Sequence, residues 1–218
     1  MSRASAWLGH AAKVRMACRA LVTFNLLNRA KRAELSTVKR RYDDSTGYLQ
    51  RATRPNEVWS YDFLESRTER GGRLRILTIL NEYTRECLII YVARSVSSQQ
   101  VISILEWLFF VRGAPSYLRS DNGPEFVAFA LQQWLRDHYC HTLYIKPGSL
   151  WENPFIESFN GTFRAKCLNR WLFADGQEAQ TIIEQWCQEY NHHRPHSSLG
   201  YMPPAAFAEK EKLSLHLD

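Results

Sequence analysis

Three acids stand where acids are costly. Asp62 lies in the strand-like run "VWSYDFLES" (58–66), Asp121 in "LRSDNGPEF", and Glu157 in "KPGSLWENPFIESFNG" (146–161) among Phe155, Ile156 and Phe159. An ionised carboxylate beside apolar side chains is unfavourable unless something pairs with it. Each has a plainer reading alone. Asp62 can be a hydrogen-bonded structural residue, Asp-Asn-Gly is ordinary turn chemistry, and an acid in a helix's first turn meets a favourable dipole. That last reading suits Glu157, and it is kept for Glu125. Taken together, two aspartates at a strand centre and a strand end, with a glutamate entering the next helix, can converge on one sheet edge. Converging carboxylates repel unless cations lie between them, and hard cations such as Mg²⁺ prefer oxygen donors. Two such ions, about 4 Å apart, serve an in-line displacement at phosphorus. The chemistry indicated is on phosphodiesters.

The elements that must position these acids are legible in the spacing. "VWSYDFLES", "RLRILTILNEY" (73–83) and "CLIIYVARS" (87–95) are β-branched and aromatic runs separated by short connections, an antiparallel meander. Alternation puts Asp62 on the face of Val58, Ser60 and Leu64, with Trp59, Tyr61, Phe63 and Glu65 on the other. Ser97-Ser98 can cap a helix from about Gln99 to Val111, ended at Gly113-Ala114-Pro115. A short strand over 116–121 stops at Asp121, a helix runs from Pro124 to about His138, and 141–147 reads as a further strand. Helices follow from Pro154 and from Gly176 to His193. The order βββ-α-β-α-β-α-α predicts an α/β fold, a mixed five-stranded sheet with helices on both faces. Such sheets form sites where strands end.

Charge is unevenly placed. Residues 1–54 hold 12 Lys and Arg against 3 Asp and Glu, whereas 55–218 hold 16 against 19. A basic N-terminal arm, with one helix expected over Ala11 to Glu34 and a polar linker to Pro55, suits a polyanion such as a phosphate backbone or is a solvated tail. The expected division is arm and linker 1–54, core 55–208 and C-terminal tail 209–218. No run has the length of apolar residues that a membrane span needs, and no signal sequence is visible, so a cytoplasmic protein without membrane contact is expected. Five scattered cysteines without a C-x-x-C pair read as buried thiols. Cys187, His192 and His196 have a zinc-like spacing, but no fourth ligand is evident and a polar helix end is the stronger reading.

"RPNEVWSYDF", "RSDNGPEF", "KPGSLWENPFIESFNG" and "YNHHRPHSSLGYMPPAAF" together resemble the catalytic half (the OrfB product) of insertion-sequence transposases of the IS-three family, relatives of retroviral integrases with an RNase H-like fold. The resemblance covers about residues 53 to 208, and the 35 residues between Asp121 and Glu157 match the spacing of that group. It implies that Asp62, Asp121 and Glu157 are the catalytic acids and hold two divalent metals, Mg²⁺ or Mn²⁺. It also implies DNA contacts by Lys146, Asn160, Arg164 and Lys166, Asn160 and Arg164 sharing the Glu157 helix face. The implied activity is a DDE transposase: water cuts one strand at the element's end, and the freed 3′-OH attacks a second phosphodiester. Its partners would be terminal-repeat and target DNA, further copies of itself, and the product of an upstream reading frame, in a bacterial cytoplasm near the nucleoid.

Two departures stand out. Asn81-Glu82 replaces the Asp-Asp common in the family at the end of the second strand, a change expected to leave the metal site alone. The first 50 residues show no clear helix-turn-helix. The rival readings are a catalytically idle remnant acting only as a DNA-binding protein, and a host RNase H-type or junction nuclease. The Asp121–Glu157 spacing and the Arg194-to-Tyr201 segment speak against the nuclease.

Overall fold

The computed structural model describes residues 51–120, 129–145 and 153–215. The expected arm helix, Asp121, Glu125 and Lys146 lie outside them. Strands β1 (Val58–Arg67), β2 (Arg73–Asn81) and β3 (Cys87–Ala93) form the antiparallel meander, and β4 (Tyr117–Ser120) and β5 (His141–Tyr144) run parallel to β1. The sheet order is β3-β2-β1-β4-β5. Helices α1 (Ser98–Arg112), α2 (Phe129–Asp137), α3 (Pro154–Phe163), α4 (Gly176–His193) and α5 (Pro204–Leu215) complete the core.

Strand alternation sorts the core into two clusters, one on each sheet face. Trp59, Tyr61, Leu77 and Ile79 pack with Leu105 and Leu108 of α1 and Leu131 and Trp134 of α2. Leu64, Ile76 and Leu80 pack with Ile156, Phe159 and Phe163 of α3 and Ile183 and Tyr190 of α4. Strand β2 is apolar on both sides and therefore sits inside the sheet. Helix α1 starts at Ser97, whose hydroxyl accepts from Gln100 N while Gln100 Oε1 accepts from Ser97 N, a reciprocal capping box. Asp175 opens α4 by accepting from Gln177 N at 2.8 Å and Glu178 N at 2.9 Å.

An edge strand presents unpaired backbone groups, and here α4 covers the β3 edge with side-chain amides. Asn191 donates to Cys87 O at 2.8 Å and accepts from Cys87 N at 2.9 Å. Gln180 accepts from Val92 N at 2.9 Å and donates to Ile90 O at 3.3 Å. Asn191 is buried, so truncating it strands a donor and an acceptor away from water. Asn191→Ala is expected to destabilise the fold by roughly 2–4 kcal/mol, read from urea unfolding midpoints at constant slope.

Three expectations change. The tail boundary after residue 208 falls inside α5, which is tied down by Tyr83 Oη donating to Glu211 at 2.9 Å and by the Tyr83–Phe207 ring contact. The "RPHSSLGY" segment folds as a tight connector: His196 O accepts from Leu199 N and Tyr201 N, and Gly200 takes a left-handed φ of 62°. Its imidazole meets the edge of Tyr190 at 5.0 Å, and burial, with Arg194 and Arg85 nearby, pushes its pKa down. Cys187 is buried in the core, and no group of three or more metal-ligating side chains occurs among the described residues, which removes the zinc reading there.

Candidate active site

Asp62 sits mid-strand in β1, opposite Thr78 of β2, on the sheet face that α3 covers. Its carboxylate is held at both oxygens. Oδ1 accepts from Phe63 N at 2.7 Å, and Oδ2 accepts from the Asn160 amide of α3 at 2.8 Å. Asn160 Oδ1 in turn accepts from the Thr78 hydroxyl at 3.1 Å, and that hydroxyl lies 3.3 Å from Asp62 O. A closed relay thus joins β1, β2 and α3 and fixes the Asp62 carboxylate against the helix.

Glu157 lies on α3 one turn before Asn160, on the adjoining part of the same face. Pro154 takes the first helical position, where its missing N–H costs nothing, and Glu157 N closes onto Asn153 O at 3.3 Å. The Glu157 side chain is half-buried, and desolvation raises its pKa above the ordinary carboxylate range. In the unfolded chain that desolvation is absent. The folded state therefore holds the proton to higher pH, and stability falls as pH rises through the raised pKa. Metal-free Glu157→Gln is accordingly expected to melt higher than the parent chain at pH 7. The gain should vanish below about pH 4, where the carboxyl is protonated in both states, as thermal melts of chelator-treated protein would show.

The other expected residues fall differently. Asn160 is buried and its amide is engaged by Asp62 and Thr78, so the expected phosphate contact gives way to a positioning role inside the core. The sequence carried a signal for this: Asn160 is four residues past Ile156 and three before Phe163, on the apolar stripe. Arg164 and Lys166 are exposed on a π turn, Arg164–Leu168, whose wide ring is closed by Asn169 N donating to Arg164 O at 2.9 Å. Such turns are uncommon outside functional sites. Thr78 escaped notice, although a lone hydroxyl inside "ILTIL" was a visible irregularity.

The Asn81-Glu82 departure has a structural answer. Glu82 is fully buried, and its Oε1 accepts from Arg119 Nε of β4 at 2.8 Å and from the Ser60 hydroxyl of β1. Among the described residues its Oε2 has no hydrogen-bond partner.

An antiparallel meander continued by two parallel strands, with an acid at the centre of β1 and another entering the helix after β5, defines an RNase H-like core of the integrase type. Residues 52–150 and 138–204 match two family models, each described as an integrase core domain. The chain is 39% identical over 160 residues to an insertion element IS476 uncharacterized 39.2 kDa protein of Xanthomonas euvesicatoria, covering 73% of this chain and 46% of that protein. It is 40% identical over 158 residues to an insertion element IS407 uncharacterized 31.7 kDa protein of Burkholderia multivorans, covering 72% and 57%. It therefore spans about half the length of these curated relatives. The HTLV-2 integrase catalytic core domain, solved in complex with magnesium in a trimeric form, superposes with a TM-score of 0.55 at 13% identity, covering 72% of this chain and 99% of that one. The chain belongs to the integrase core family, in the branch of insertion-sequence transposases of the IS-three type.

Among the described residues, no helix is long and apolar enough to cross a membrane.

Proposed function

We propose that this chain is the catalytic core of a DDE transposase that cleaves and transfers DNA strands at the ends of an insertion sequence. The observation that carries the reading is the Asp62–Asn160–Thr78 relay with Glu157 one helical turn away, on an integrase core. Asp62, Asp121 and Glu157 are the proposed acids. Their oxygen donors suit two Mg²⁺ or Mn²⁺ ions, and the half-buried, cation-poor setting that raises the Glu157 pKa fits a carboxylate awaiting a cation. The magnesium bound by the HTLV-2 core supports the same choice. When bound, such ions supply neutralisation of the charge that develops on the attacking and leaving oxygens.

The chain's own residues do the rest. Asn160 and Phe63 N each hold one oxygen of Asp62, so its carboxylate plane is set before DNA arrives. In the first step a water oxygen bonds to phosphorus and the 3′ oxygen at the element's end leaves. In the second, that 3′ oxygen bonds to a target phosphorus and the target's 3′ oxygen leaves. Each step makes one P–O bond and breaks one, with no protein-linked intermediate. Lys146, Arg164 and Lys166 are proposed phosphate contacts, which position DNA without reading its sequence. The partners on this reading are element ends, target DNA, further copies of the chain and the product of an upstream frame, meeting on nucleoid DNA in a bacterial cytoplasm.

The test is nicking and joining of an oligonucleotide carrying the native element end, with Mg²⁺ or Mn²⁺. Asp62→Asn and Asp121→Asn should each abolish both reactions. A variant that keeps them would end the assignment of that acid.

A further inference from the structure

We infer that Glu82, which is not one of the proposed acids, is the positioning residue that sets all three of them. The inference rests on the transposase reading above. Its ground is a recurrence of spacing. Ser60, whose hydroxyl donates to Glu82 Oε1, stands two residues before Asp62 on β1. Arg119, whose Nε donates to the same oxygen at 2.8 Å, stands two residues before Asp121 in sequence. Phe155 stands two residues before Glu157 on α3, and the Arg85 guanidinium lies 3.6 Å from its ring centroid while also donating to the Glu82 carbonyl. One residue thus reaches the element that carries or leads into each acid.

The connections are of the kind that fix geometry. Ser60 and Arg119 face each other across the parallel β1–β4 ladder, so the Glu82 carboxylate clamps the register of these two strands. Glu82 N donates to Val58 O at 3.0 Å, which anchors the clamp to β1 through the backbone as well. Glu82 and Arg119 are buried, with side-chain exposures of 0% and 6%, so solvent does not soften the pair. Arg85 is itself held by Tyr190 Oη of α4, which donates to Arg85 O at 3.2 Å. Outer groups that orient metal ligands typically change metal affinity by about 10–100-fold when removed.

The test is Mn²⁺ binding to the DNA-free protein, followed by the resonance signal of free Mn²⁺. Glu82→Met combined with Arg119→Met replaces the ion pair by an apolar one and should bind Mn²⁺ at least about tenfold more weakly. Glu86→Met with Arg112→Met removes the 2.7 Å ion pair elsewhere on the same β2–β3 connection and should bind as the parent does. Binding by the Glu82/Arg119 pair variant within about twofold of the parent, or an equal loss in the control pair, overturns the inference. Should the Glu82/Arg119 variant not fold, Ser60→Ala decides the matter. It should weaken Mn²⁺ binding in the same direction, and unchanged binding overturns the inference. Asp62→Asn runs alongside. If it loses Mn²⁺ while the pair variant keeps it, only the role of Glu82 falls; if it too keeps Mn²⁺, the metal-site reading falls with it.

Discussion

Asp62→Asn should lower nicking of an element-end oligonucleotide about a thousandfold or more while leaving the fold in place. A bound cation contributes several kcal/mol at a transferring phosphoryl group, and each 1.36 kcal/mol is a factor of ten in rate. The substitution keeps shape but not donor capacity. Asp62 now accepts two hydrogen bonds, from Phe63 N and from Asn160. An amide at this position has one oxygen, so it serves one of the two and turns an N–H toward the other. The cost to stability is that of one modest hydrogen bond, about 1 kcal/mol. A large rate loss with a melting temperature within a few degrees of the parent is therefore the signature of a chemical role. A collapse of both together would instead point to a structural aspartate, the plainer reading that the sequence left open.

The largest stability effect should come from Arg119→Met. Removing the guanidinium leaves Glu82 buried and ionised beside Ser60, and breaking a buried pair from one side costs about 3–5 kcal/mol. At 2–4 °C per kcal/mol for a chain of this size, the melting temperature should fall by roughly 6–20 °C. Adding Glu82→Met should recover most of that loss, because an apolar pair of similar volume is often as stable as the ion pair it replaces. Calorimetry of the two variants checks this. A single variant that unfolds within about 1 kcal/mol of the parent would show that Arg119 carries little of the strand pairing.

The sheet was readable from the sequence because its strands are long β-branched runs, and α4 because Asp175 caps its start and His192 and His193 lie at its end. Helix α5 went unread. "PAAFAEKEKLSL" has few apolar residues, and the prolines before it looked like a terminus; what holds it is Tyr83, 128 residues away from Glu211. The same limit applied at the site. Asp62 and Glu157 were visible as acids in apolar surroundings. Glu82 was not, because a residue just past a strand end has no periodic context, and its partner Arg119 lies 37 residues on. Asn160 was misplaced toward DNA because its spacing from Glu157 was weighed and its spacing from Ile156 and Phe163 was not. Spacing within one helix is local information. Pairing across the sheet is not.

The amides that cover β3 have a consequence in time. Cys87 and Asn191 are 104 residues apart, and Ile90 and Gln180 are 90. A ribosome adding roughly 5–20 residues per second makes the strand about 5–20 seconds before it makes the cover. Throughout that interval the nascent chain carries an open, apolar β edge that can pair with another copy. Synthesis slow enough to keep neighbouring chains apart, or a chaperone that occupies the edge, would favour soluble protein more than any change to the finished core.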